Sequence, residues 1–176
     1  AARHILGTLA KDDADLGVRC AAIAALLDIP LLLDCLGESS TAIVDAARTR
    51  LIALLSGAVP HSPTPDQRLP VIRQLQDARL LSGLLDRASD STCLLAALEQ
   101  LNDQQRYADF ALHGKDPVLR EQCAVRVTDP ALLRQLSRDG RDKKVIQSAR
   151  DRLKQIQQQA EQAEQQRQQI DDLLKQ

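Results

Sequence analysis

The chain has 176 residues, 23 basic against 24 acidic, with two aromatics (Tyr107 and Phe110) and no Trp or Met. That length suits one or two domains with a sizeable core, and a core of Leu, Ile, Val and Ala favours helices over sheets. The scarcity of aromatics argues against base-stacking nucleic-acid modules and an aromatic-lined pocket, and a net charge of −1 gives no global pull toward DNA or anionic lipid.

In chain order, Ala1 to Leu9 lacks the basic start and long apolar run of a signal peptide. The absent initiator Met suggests a processed chain or a fragment. No uncharged apolar stretch is long enough to span a membrane.

Self-similarity organises the chain. Asp28-Ile-Pro-Leu-Leu-Leu-Asp-Cys-Leu36, Asp77-Ala-Arg-Leu-Leu-Ser-Gly-Leu-Leu85 and Asp129-Pro-Ala-Leu-Leu-Arg-Gln-Leu136 share one form. Asp103 to Phe110 is a weaker copy, and Ala2 to Leu9 is another with Ala in place of Asp. The anchors 2, 28, 77, 103 and 129 define a period of about 26 residues, with a degenerate unit expected near residue 54. Nine residues before three of these anchors stand Arg19, Arg68 and Arg120. Ala42 to Leu51 also parallels Lys144 to Leu153, both containing Ala-Arg-x-Arg-Leu. The offset there is 102 residues, against 101 from Arg19 to Arg120 and from Asp28 to Asp129, one residue slipping in a turn.

Each half-repeat reads as a short helix. Asp28, Asp116 and Asp129 are N-cap acids, the last two followed by proline at the first helical position. Gly37, Gly114 and Gly140 fall where left-handed helix ends are expected. Two helices per unit cannot bury their apolar faces alone, so stacking predicts an all-α fold: an α-solenoid of about six two-helix HEAT-like repeats followed by a long C-terminal helix. The expected divisions are a first sub-array over 1–57, a proline-rich loop over 58–70, a second sub-array over 71–155 and a Gln-rich coiled-coil helix over 156–176. The loop is expected because 58–70 holds four of the seven prolines. The tail is expected to be helical because Ile146, Ala149, Leu153, Ile156, Ala160, Ala163, Arg167, Ile170 and Leu174 alternate by three and four.

Val18-Arg19-x-x-Ala22 and Leu119-Arg120-x-x-Ala, with Thr128-Asp129-Pro130-Ala131-Leu132-Leu133 after the second, resemble HEAT-like repeats. The resemblance is to the N-terminal repeat region of bacterial proteins carrying the domain of unknown function 349, over roughly residues 1–155. The pattern departs at Asp45, Leu94 and Ile146, where the repeat arginine is missing, and at the proline segment. The resemblance implies a scaffold or interaction role and carries over no catalytic residues.

Candidate chemistry is sparse. Cys20, Cys35, Cys93 and Cys123 lack metal-site spacing and read as buried small hydrophobes in a reducing, cytoplasmic setting. His4, His61 and His113 are the histidines, no Ser or Cys stands out as an activated nucleophile with local support, and Asp12-Asp13 and Asp171-Asp172 read as helix-end or surface acids. The chain is therefore read as non-enzymatic, without catalytic residues, metal or cofactor. Arg19 and Arg120 are expected to pair with Asp15 and Asp116, one turn earlier. The alternative makes Arg19, Arg68 and Arg120 a partner-binding row. Arg134, Arg138, Arg141, Lys143, Lys144, Arg150, Arg152 and Lys154, opposed only by Asp139, Asp142 and Asp151, form a candidate anion or nucleic-acid patch. The expected function is a scaffold that binds a protein partner along the solenoid surface. The alternatives are nucleic-acid binding through 134–154 and the repeat arginines, and self-association through the C-terminal heptads.

Overall fold

A computed structural model describes the backbone of residues 2–174 and the side chains of residues 4–170. All regular structure among them is helical: α1 (Ala2–Asp12), α2 (Leu16–Ala25), α3 (Ile29–Cys35), α4 (Thr41–Leu55), α5 (Pro65–Ile72), α6 (Ala78–Arg87), α7 (Ser91–Leu101), α8 (Gln104–His113), α9 (Pro117–Arg126), α10 (Pro130–Asp139) and α11 (Lys143–Leu174).

The helix starts keep a finer rhythm than the 26-residue period. Asp15, Asp28, Asp77, Asp90, Asp103, Asp116 and Asp129 each accept a hydrogen bond from a first-turn N–H of the next helix. From Asp77 to Asp129 they recur every 13 residues, one half-repeat. The Asp142 carbonyl opens α11 at the next step, accepting from the Ile146 N–H at 3.1 Å. Each carboxylate satisfies donors that a helix start leaves open, worth about 1 kcal/mol per cap. From α6 to α10 the result is helices of ten or eleven residues joined by turns of two or three.

The chain forms two compact units, residues 1–102 and 103–176. In the first, α1 packs on α2, α2 and α3 on α4, α4 on α6, and α5 and α6 on α7. Its core contains Ile23, Leu32, Ile43, Leu51, Leu54, Leu80, Leu84 and Leu98, all sealed from solvent. In the second, α8 packs on α9 and α10, and both α9 and α10 pack on α11. Tyr107, Leu119, Cys123, Leu133, Leu136, Val145 and Ala149 fill that core. Slim side chains let short helices approach closely. Gly83 on α6 is the sharpest case, because a Cβ there would drive into Ile52 of α4.

Several expectations change. The proline segment is loop only as far as Thr64: Pro65 opens α5 as its first residue, the Gln67 side chain accepts from the Thr64 N–H at 3.1 Å, and Pro70 lies inside the helix. Proline at the first position forfeits no bond, and exposed Pro70 costs only one. The whole segment lies inside the first unit, whose end is Asn102, left-handed at φ 49°. Residue 54, where a degenerate unit was expected to begin, belongs to the end of α4, and a loop runs directly from there to α5. Gly114 and Gly140 have φ of −53° and −59°, not the left-handed values expected. Glycine serves there because a Cβ would meet the Phe110 and Leu136 carbonyl oxygens at 2.5 and 2.6 Å. Finally, α11 runs unbroken from Lys143 to Leu174, so the expected division at 155/156 falls inside one helix, while Arg134 and Arg138 of the basic region lie on α10.

Candidate functional site

The repeat arginines do not pair within their own helices. Arg19 Nε donates to the Ala10 carbonyl at 2.9 Å and its Nη2 to Glu38 at 2.9 Å. Arg120 Nη1 donates to the Gly114 carbonyl at 2.6 Å and its Nε to Asp142 at 2.6 Å. Asp15 and Asp116 are occupied as caps of α2 and α9. Arg68 is 6% exposed, its Nη1 donating to the Leu55 carbonyl at 3.0 Å, while its Nε has no partner. Arg50 Nε donates to the Leu26 carbonyl at 2.7 Å. The shared act is to reach the terminal carbonyls of the preceding packed helix, which helix geometry leaves without donors. For Arg68, which is buried, such a charge-assisted bond is worth about 1.5–3 kcal/mol. Arg68, being buried, is not part of an exposed binding row.

Three ion pairs then link a helix to the segment leading into a later one. Arg19 reaches Glu38 ahead of α4, Arg48 reaches Asp77 at the start of α6 at 3.0 Å, and Arg120 reaches Asp142 at the start of α11. Arg48 thus supplies, one turn later, a tie of the kind the missing arginine at Asp45 would have made. Burial alone would raise the Asp77 carboxyl, but the hydrogen bond and charge of Arg48 and the Leu80 N–H hold it below the usual carboxylate range. Asp142 is lowered chiefly by its hydrogen bond from Arg120.

With those arginines engaged inside the units, the surface is defined by two grooves. In the first unit Ala24 of α2 faces Asp45, Ala46, Thr49, Arg50 and Ala53 of α4 across a groove of about 380 Å³. In the second unit Val125 of α9 faces Gln147, Ser148, Asp151, Arg152 and Gln155 of α11 across one of about 430 Å³, with Glu121 and Lys144 added. Adding 101 to Ala24 gives Val125, and adding 102 to each α4 residue gives its α11 counterpart. The two grooves are therefore lined by residues at corresponding positions of two similar sequence stretches. Their surfaces differ. Three alanines line the first, whereas the second carries the Lys144–Glu121 ion pair at 3.0 Å and the Gln147–Asp151 hydrogen bond at 2.8 Å. Val118 and Val125 stand 59% exposed on α9, and Leu16 and Val18 are exposed on α2, so both helices also present apolar side chains to solvent.

All eight candidate basic residues over 134–154 are exposed, but they do not act alike. Arg138 forms a two-pronged pair with Asp139, Lys144 binds Glu121, and Arg141 lies near enough to Asp142 to lower its carboxyl. Lys143, Arg150 and Lys154, spaced seven and four apart, share one face of α11.

Cys35, Cys93 and Cys123 are buried and Cys20 half-buried, all as free thiols. Burial pushes the Cys93 thiol up to about 11, with Asp90 adding to the rise, and burial followed by Glu38 raises Cys35. Such thiols stay protonated and unreactive. His4, His61 and His113 are exposed on separate elements, and no group of three potential metal ligands occurs among the described residues. No described helix is long and apolar enough to cross a membrane. Comparison with protein-family models, with curated proteins and with solved structures finds no match to this chain.

The grooves and carbonyl-seeking arginines were not foreseen from the sequence. A usable signal existed in the 101- and 102-residue offsets, which already aligned the groove residues in pairs.

Proposed function

We propose that this chain is a non-enzymatic helical-repeat scaffold that holds a protein partner in the grooves between alternate helices. The observation that carries this reading is the recurrence of one groove at equivalent repeat positions, α2–α4 and α9–α11. Repetition of a shallow surface suits an extended polypeptide surface better than a small substrate. The packing of helices on their neighbours but one supports a HEAT-like α-solenoid. On that reading the chain resembles the repeat region of bacterial proteins with the domain of unknown function 349, working in the cytoplasm.

The test is capture from native lysate by the immobilised chain, compared with an Ala46→Arg, Ser148→Arg double variant. Both substitutions fill a groove without touching a sealed core position. Proteins retained by the wild type and lost by the variant support the reading. Equal retention by both, or none by either, overturns it.

The basic stripe of Lys143, Arg150 and Lys154 supports a second reading, phosphate contact with nucleic acid. Filter binding that falls steeply as salt rises supports it, and no retention at low ionic strength rejects it.

A further inference from the structure

One face of α11 has a covered counterpart in the first unit. α4 and α11 correspond at an offset of 102 residues, and each packs on the two helices before it: α4 on α2 and α3, α11 on α9 and α10. α4 also carries α6. Two contacts seat α6 there. Arg48 of α4 donates from Nε and Nη2 to Asp77 Oδ2 at 3.1 and 3.0 Å, while Asp77 Oδ1 accepts from the Leu80 N–H and caps α6. One turn further along α4, Ile52 lies against Gly83 of α6, with no room for a Cβ between them.

On α11 the residues at those positions are Arg150 and Lys154. Both are exposed, whereas Arg48 and Ile52 are half-buried, and neither forms an ion pair with a described residue. Next to them on the helix, Leu153 and Ile156 are half-buried, whereas their counterparts Leu51 and Leu54 are sealed. Lys143, seven residues before Arg150, extends the same exposed face. The face that α6 covers on α4 is therefore open on α11.

Its residues specify what fits. Arginine in the place of Arg48 asks for a carboxylate at the start of the incoming helix, as Asp77 supplies on α6. Lysine in the place of Ile52 asks for a second carboxylate where α6 has Gly83, because an apolar residue there would bury the ammonium without a partner. Leu153 and Ile156 ask for leucines of the kind α6 carries at Leu80, Leu81, Leu84 and Leu85. We propose that the Lys143, Arg150, Lys154 face of α11 docks one amphipathic helix of a protein partner, a leucine-striped helix whose capping aspartate meets Arg150 and whose acidic residue six positions later meets Lys154. This deepens the scaffold reading and rests on it, yet uses residues that the Ala46→Arg, Ser148→Arg variant leaves intact, so either can fail while the other stands.

The probe is a peptide with the sequence of residues 76–89 carrying Gly83→Glu, titrated into the full chain while amide chemical shifts are followed by NMR. Saturable shifts along residues 143–156 with a Kd of about 100 μM are expected, since a short peptide must be ordered as it binds. Arg150→Glu is expected to weaken binding about tenfold. The wild-type chain is expected to prefer the Gly83→Glu peptide to a Gly83→Lys peptide, and Lys154→Glu to reverse that preference. Both substituted side chains are exposed, so the fold is kept. No shifts at about 1 mM peptide, no loss with Arg150→Glu, or an unreversed preference each overturns the proposal. A DNA duplex that shifts these residues while the peptide does not assigns the face to phosphate contact, and shifts there on simple dilution of the chain assign it to a second copy; either result overturns it as well.

Discussion

Residues 16–55 and 117–156 run through the same succession of parts and arrive at different surfaces. Each begins at a capping aspartate, Asp15 or Asp116, and each seats an arginine, Arg19 or Arg120, on the terminal carbonyls of the helix before it. On the buried side of the third helix of each stretch, α4 and α11, Ile43 and Ala47 correspond to Val145 and Ala149, all four sealed. Across the groove the correspondence stops: Ala46 becomes Ser148, Thr49 becomes Asp151 and Ala53 becomes Gln155. Residues that close hydrogen bonds or fill core are held by the architecture, because an orphaned carbonyl or a cavity costs stability directly. Groove residues face water and are free to differ.

The largest break in this comparison is expected where equivalent residues differ in burial. Leu51 is sealed, whereas its counterpart Leu153 is half-buried. Leu51→Ala is expected to cost about 3 kcal/mol and Leu153→Ala about 1 kcal/mol, read by urea denaturation. Equal losses would show that α11 is covered as fully as α4.

Acid should loosen both copies through the ties that enter a later helix. Asp77 and Asp142 have folded-state pKa values below their ordinary range, so the stability they contribute is present above about pH 4 and is lost as pH falls through the lowered values. Asp77→Asn, which removes the charge paired with Arg48 and keeps a side chain able to cap α6, is expected to cost about 1 kcal/mol at pH 7 and to flatten the decline between about pH 4 and pH 2. Thermal melts across that range provide the measurement, and an unchanged slope rejects the role of this pair.

The smallest effect sharpens a feature the first unit has and the second lacks. In the loop after α4, Ser62 N–H donates to the Val59 carbonyl at 3.2 Å, closing a turn in which His61 sits at φ 64°. Proline before a left-handed residue is the type II arrangement, which favours glycine. His61→Gly is expected to raise stability by about 0.5–1 kcal/mol, because it relieves the Cβ strain of the left-handed region. A lower melting temperature would reject that reading of the turn.

Much of the fold is legible in the order of residues alone. Capping aspartates announce helix starts locally, since a side chain and an N–H two or three residues on are all the bond requires. The heptad spacing likewise announces α11. The proline segment misleads beyond Pro65 because proline forbids a donor, not a helix, and the first helical turn needs none. Arg68 misleads more deeply: its position matches an exposed repeat arginine, yet its guanidinium is buried against the Leu55 carbonyl.

Sequence by itself determined that this protein is helical, where most helices start, and that two stretches run parallel in sequence, because these depend on contacts within a few residues or on plain correspondence of letters. Tertiary structure alone decided which carbonyl each arginine meets, that the copies bear a groove apiece, and where the cover over α11 stops. Those are contacts between elements some 10 to 30 residues apart along the chain, such as Arg19 with Ala10 and Arg48 with Asp77, and their partners are chosen by packing rather than by spacing.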